Sequence, residues 1–362
     1  MTFSVSGFDP MEIGDMTIPN RIVMAPMTRS RADGSGLATE LMARYYAQRA
    51  SAGLIITEGI QPSVVGQGYP STPGLHSDAQ MQSWRVVTDA VHAAGGRIYA
   101  QLLHCGRIGH PDLLPDSLVP VAPSAVAARG RIYTPHGMKH FVTPRELSSD
   151  EVTATVRDFT TAAANAIDAG FDGVEVHGAN GYLVHQFLSA ATNQRQDNWG
   201  GSIPNRIRFA IEVIEAIADS IGAQRTALRI SPGNPYNDMH EDKPAATYFA
   251  LVERLRPIGM AYLHVVEVGD RALTNALRSR FRGAFMLNPH TAPSPTGRNE
   301  LALIAEEVAD MISYGALFLA NPDLPDRLAK GGPFNAPQPD TFYGGGEQGY
   351  TDYPTLAHSD VA

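Results

Sequence analysis

The sequence predicts an α/β fold, a (β/α)8 TIM barrel, and three observations carry that prediction. Short β-branched runs and helix-length segments alternate eight times along the chain. Such alternation implies parallel strands joined by right-handed crossovers, and eight such units close into a barrel. A doubly wound open sheet is the alternative, but it would carry G-x-G-x-x-G after an early strand, and none is there. Finally, 362 residues with 43% hydrophobic and 18% charged side chains match a soluble α/β barrel, so residues 1–362 read as one domain.

In chain order, Met11 to Ile18 holds two short runs around Gly14-Asp15, a hairpin placed as a lid over one end of the barrel. Arg21 to Ala25 is the first buried strand, with Pro26-Met27-Thr28-Arg29 at its C-terminal end. A helix from Thr39 to Ser51 has Thr39 as N-cap and Gly53 as stop. Leu54 to Glu58 is the second strand, followed by Gly59, and Asp78 to Ala94 is a helix stopped by Gly95-Gly96. Arg97 to Leu102 is the third strand and leads into Leu103-His104-Cys105-Gly106-Arg107.

Residues 108 to 147 interrupt the alternation with a Pro- and Gly-rich insertion, in which Ile132-Tyr133 and His140 to Val142 read as short strands. An insertion this long in a compact domain is commonly functional, such as a lid. Ser148 to Glu151 is a capping box opening a helix to Ala169. Strands follow at Gly173 to Val176, Ala227 to Ile230, Ala261 to Val266, Gly283 to Leu287 and Asp310 to Tyr314. Helices are placed at Pro204 to Ile221, Lys243 to Arg256, Arg271 to Ser279, Arg298 to Val308 and Pro322 to Ala329. The tail from Gly331 is Gly- and Pro-rich.

Composition bounds the function. A net charge of -9 argues against a nucleic-acid partner and against affinity for anionic membranes. No apolar run reaches transmembrane length, and the first residues lack the basic start and apolar core of a signal peptide. Cys105 is the only cysteine, which excludes an internal disulfide and a thiolate metal cluster. These features place the chain in the cytoplasm, as a monomer or homo-oligomer. His104, Cys105, His110, His177 and His185 offer no pair at helical ligand spacing with a nearby carboxylate, so no metal is expected.

Chemistry in a barrel is built at the C-terminal ends of the strands. Those positions here carry Thr28, Glu58-Gly59, Gln101, His104, His177, Asn180, Tyr182 and Arg229. Asp172 to Ser189 is the densest stretch, a strand handing over to a helix. If the segment from His177 is helix-like, His177 and Asn180 share a face and grip one oxygen together. Tyr182 beside them can give up a proton. The same pattern is also that of a polar loop capping a helix. Gln101 and Arg229 read equally as partners inside the barrel mouth, and His104 as a satisfied core histidine.

Several stretches together resemble the old yellow enzyme family of flavin-dependent ene-reductases: Asn20 to Arg29, Ala50 to Glu58, Gln101 to Arg107, His177 to Tyr182, Trp199 to Ser202 with Asn205-Arg206, and Phe342 to Pro354. The resemblance implies FMN beside Pro26, Met27, Thr28 and Gly59, with Thr28 at the flavin O4, Gln101 at the pyrimidine edge and Arg229 by N1 and O2. It further implies NAD(P)H as hydride donor and a small activated alkene as substrate. His177 and Asn180 would hold the substrate carbonyl, Tyr182 would protonate the α-carbon, and Tyr69 and Tyr343 would wall the pocket.

Three departures stand out. Leu103 replaces a tryptophan of many relatives, which should enlarge the pocket. Asn288-Pro289 replaces a glycine-containing phosphate loop, and Gly315-Ala316 replaces a glycine-arginine pair that holds the FMN phosphate. A proline gives no N–H and an alanine no ion pair. The phosphate grip is weakened on paper, which motivates a deazaflavin as an alternative cofactor. A flavin-free isomerase or ligand-binding barrel is the reading from another class.

Overall fold

A computed structural model describes residues 5–356. Eight parallel strands form a closed barrel in chain order: β1 (Ile22–Met24), β2 (Leu54–Ile60), β3 (Ile98–Leu102), β4 (Gly173–Gly178), β5 (Thr226–Ile230), β6 (Tyr262–Val266), β7 (Ala284–Asn288) and β8 (Met311–Tyr314), which pairs back onto β1. Helices α1 (Glu40–Ala47), α2 (Asp78–Ala93), α3 (Ser149–Asp168), α4 (Ile203–Ile221), α5 (Pro244–Leu255), α6 (Arg271–Arg280), α7 (Ala302–Ala305) and α8 (Leu324–Lys330) follow the strands.

Local sequence explains the helix starts. Thr39 and Ser77 accept backbone N–H groups from Met42 and Gln80. Ser148 and Glu151 close the capping box of α3 in both directions. The apolar face of α3 packs on α4 through Phe159 and Phe209, whose rings meet edge-on at 6.4 Å. The region expected as a helix over 298–308 is shorter: a 3-10 turn precedes the single turn α7. A short helix over Ala316–Ala320 escaped the sequence reading.

The hairpin pairs Met11–Ile13 with Met16–Ile18. Its Ile13 and Ile18 pack with Val23, Leu54, Tyr99, Ala227, Tyr262, Met286 and Met311. Those residues lie at or near the starts of the barrel strands, so the hairpin stoppers the N-terminal end and leaves the opposite mouth for chemistry. Gly14 turns at φ +55°, and a Cβ there would lie 1.9 Å from the Gln224 carbonyl oxygen; only glycine fits this corner. The insertion folds as a hairpin of Arg131–Thr134 with Gly137–His140, and Val121–Ala122 pairs with Arg145–Glu146. The second strand of that hairpin thus ends where the sequence reading had placed its beginning.

Candidate active site at the C-terminal mouth of the barrel

Polar side chains interrupt otherwise apolar strands and meet inside the barrel. Gln101 Nε2 donates to Glu175 Oε1 at 2.8 Å, Glu175 Oε2 lies 2.8 Å from His264 Nδ1, and His264 Nε2 lies 2.9 Å from Ser313 Oγ. All four residues are buried. Burial pushes the Glu175 carboxyl up, but the His264 ring, Arg229 and Gln101 together bring it below its ordinary value. Gln101 therefore pairs with Glu175 and not with Arg229. The guanidinium of Arg229 donates from Nη2 to Asn288 Oδ1 at 3.4 Å, while its buried Nε has no partner among the described residues. Glu175, His264 and Ser313 were missed in the sequence. Their one signal was a polar residue in the middle of an apolar strand run.

The end of β4 departs from the helix-like reading. His177 is still in the strand, in register with Arg229 of β5, and Asn180 sits in the left-handed region at φ 56°. Two hydrogen bonds orient the pair. His177 Nδ1 accepts the Ala179 N–H at 3.2 Å, so a neutral ring carries its proton on Nε2. Burial first, then Arg229 and His264, push this ring well below the usual histidine range, keeping it neutral. Asn180 Oδ1 accepts from Asn234 Nδ2 at 2.9 Å, which leaves the Asn180 amide N–H groups free to donate. Its backbone is tied down as well, by Ser231 Oγ at 2.8 Å and Asn237 Nδ2 at 2.8 Å. Asn234 and Asn237 lie in a loop after β5 that carries no motif to single it out.

Tyr182 caps the short helix Leu183–Leu188. Its hydroxyl is 2.9 Å from that of Tyr69, and its ring meets His177 edge-on at 5.0 Å. Burial, then Tyr69 and Cys105, raise its pKa well above 10, so the phenol stays protonated at neutral pH. Leu103 packs against Tyr182 with Cys105, Ile108 and Ala128. It also covers Gly59, where a Cβ would lie 2.3 Å from Leu103 Cδ2. Thr28, Tyr69, Tyr182, Tyr236, Phe141 and Tyr343 line a cavity of about 550 Å³ shared with the insertion hairpin. Tyr343 is 70% exposed at its rim.

The other candidates are accounted for separately. His104 is buried, accepts the Gly106 N–H through Nδ1 and among the described residues has no partner for Nε2; burial lowers its pKa to about 3. His185 lies between the Gly181 N–H and Glu241. Pro26 and Met27 follow β1, half-buried, and Gly59 lies in β2 at an irregularity in its pairing with β3.

A family model described as NADH:flavin oxidoreductase / NADH oxidase matches residues 7–335. The chain belongs to that family. A probable flavin mononucleotide-dependent alkene reductase of Leishmania infantum is 40% identical, with 96% of each chain covered. A putative 12-oxophytodienoate reductase of Oryza sativa is 39% identical over 97% of this chain and 94% of its own length. Among solved structures, morphinone reductase superposes with a TM-score of 0.93 at 41% identity over the full length of both chains. The old yellow enzyme homologue of Zymomonas mobilis gives 0.93 at 40% identity, covering 97% of this chain and all of its own. The NADH:flavin oxidoreductase assignment makes this chain a flavin-dependent oxidoreductase of the old yellow enzyme type, the type that reduces activated alkenes. FMN is the flavin these comparisons support. They lend nothing to a deazaflavin, and they set aside a flavin-free barrel.

The ring of FMN fits the residues present. A buried N–H with no partner costs about 1–3 kcal/mol, and Arg229 Nε is one such group at the barrel mouth. A bound acceptor edge relieves it. The phosphate end fits less well: Pro289 is buried at the end of β7, and Ala316 opens the short helix after β8.

Proposed function

We propose that this protein is an ene-reductase in which Thr28, Gln101 and Arg229 hold the flavin ring, together with the backbone of Pro26, Met27 and Gly59. His177 and Asn180 grip the carbonyl oxygen of an α,β-unsaturated substrate, and Tyr182 supplies a proton to the α-carbon. Hydride transfer from reduced nicotinamide to the β-carbon is the chemistry FMN supplies when bound. One observation carries the reading: on a single turn, His177 and Asn180 each have their acceptor atom occupied, so each is left only a donor to offer. Two neutral donors on one oxygen draw electron density from the conjugated alkene and stabilise charge that develops there.

Tyr182 completes the set. Its proton is held at neutral pH, and Tyr69 lies within hydrogen-bond reach to share it. Leu103, Tyr69 and Tyr343 shape the space for the alkene. Among the described residues no helix is long and apolar enough to cross a membrane. The acidic balance and single buried thiol suit a cytoplasmic enzyme.

The test is anaerobic. The purified protein is reduced with NADH or NADPH and then mixed with 2-cyclohexenone. Reoxidation with formation of cyclohexanone is expected. Reduction by nicotinamide without any reoxidation by the enone would overturn the reading.

A further inference from the structure

This inference rests on the barrel mouth being the flavin site. In (β/α)8 barrels a phosphate is frequently held by the loops after the seventh and eighth strands and the start of a short extra helix. Those parts exist here. β7 ends at Asn288, β8 ends at Tyr314, and the Ala316–Ala320 helix follows. They adjoin the flavin loop, because a Cβ on Gly315 would lie 3.9 Å from Met27 Sδ.

Among the described residues, the side chains of these parts offer little to hold a dianion. Pro289 has no N–H to give. The next backbone donor, at His290, lies 3.4 Å from Glu267 Oε1, so it faces a carboxylate already. Arg271, the cation beside it, binds both oxygens of Glu267 at 2.6 and 2.9 Å, which neutralises its charge. Ala316 brings a methyl group. Arg298 is exposed and lies against Gly331, at the C-terminal end of α8. A phosphate dianion taken out of water against this carboxylate, with Arg271 already paired and Arg298 held out in solvent, is strongly disfavoured.

We propose that this chain recognises its flavin through the ring alone, leaves the phosphate in solvent, and so binds riboflavin and FMN with nearly equal affinity. Its cofactor class is the isoalloxazine with any modest side chain, rather than FMN specifically.

The flavin-free protein is titrated with riboflavin and with FMN, following quenching of flavin fluorescence. The two dissociation constants should lie within about fivefold, well short of the roughly 10- to 100-fold that one charge-assisted phosphate contact gives. FMN binding about tenfold tighter or more overturns the proposal, since at least one charge-assisted phosphate contact must then exist. Binding of neither flavin overturns the ring-site reading itself, and this inference with it. Ala316→Arg adds an independent readout. It should tighten FMN by about tenfold or more and leave riboflavin unchanged. Equal tightening of both flavins would mean that the phosphate does not lie there and would overturn the assignment. The wild-type titration stands alone if the variant fails to fold.

Discussion

The side-chain oxygen of Asn180 accepts a hydrogen bond from the side-chain amide of Asn234 at 2.9 Å. An amide can present either end, and this contact settles which. Asn234 is a positioning residue, and the substitution that separates its roles is Asn234→Asp. A carboxylate cannot donate, so it should turn the Asn180 amide around and present oxygen to the substrate. Asn234→Ala should weaken phenol binding by about tenfold, the loss of one neutral hydrogen bond. Asn234→Asp should weaken it further, although it is closer in shape. Phenol titrations of the flavin charge-transfer band report both, and an aspartate variant that binds better than alanine would refute the arrangement.

Removing both donors tests the grip itself. The double variant His177→Ala with Asn180→Ala should lose phenol binding and enone reduction while retaining flavin. Each aligned donor contributes roughly 1.5–3 kcal/mol if charge builds on the oxygen. Unchanged phenol affinity would rule out the assignment.

The acid can be tested in isolated half-reactions. Tyr182→Phe removes a hydroxyl and little volume. It should slow reoxidation by an enone by about 10²- to 10⁴-fold, the range for a positioned general acid, and spare reduction by nicotinamide. Tyr69→Phe should show the same selectivity with a smaller loss, because its hydroxyl is one hydrogen bond further away. Equal slowing of both half-reactions in stopped flow would count against proton donation.

A second carboxyl gives a pH signature. Glu58 is buried beneath the loop after β1, where its Oε2 accepts the N–H of Arg29 at 3.2 Å and of Ser30 at 3.4 Å. Burial pushes it up to about 7 from an ordinary 4.5, against those hydrogen bonds and the Arg29 charge. The folded state thus holds this proton more tightly than the unfolded chain. Its contribution is complete below about pH 4.5 and fades as pH rises to about 7. Glu58→Gln keeps the acceptor and removes the titration. Denaturation curves should show the wild type losing stability across that window relative to the variant, by on the order of 3 kcal/mol. Parallel pH profiles would show that Glu58 is ionised throughout.

The barrel was legible because its signals are local and repeated. β-branched runs recur along the chain, Thr39, Ser77 and Ser148 cap their helices and glycines follow several of them, and each such signal fixes its own element regardless of distant contacts. The site was legible only in part. His177, Asn180 and Tyr182 stand together in the chain, so their grouping shows in the sequence. The partners that orient them do not: Asn234 is 54 positions from Asn180, and His264 is 89 from Glu175. Closure of the barrel alone brings them together. The left-handed turn at Asn180 hid behind a spacing of three that also suits a helix. The short helix after β8 went unseen because its five residues are all apolar and too few to show a helical period.

Arg29 donates to the carbonyls of Phe342 and Gly349, 313 and 320 positions later, and Arg31 reaches Thr341 and Gly346. Both guanidiniums lie over the Tyr350 ring. These bonds fasten the segment carrying Tyr343 onto the loop that follows the first barrel strand. During synthesis the two arginines leave the ribosome long before the carbonyls they bind. At about 5–20 residues per second, they wait many seconds for partners. The Tyr343 side of the cavity is therefore assembled last, after the barrel strands have emerged, and a nascent chain halted before residue 341 lacks that wall.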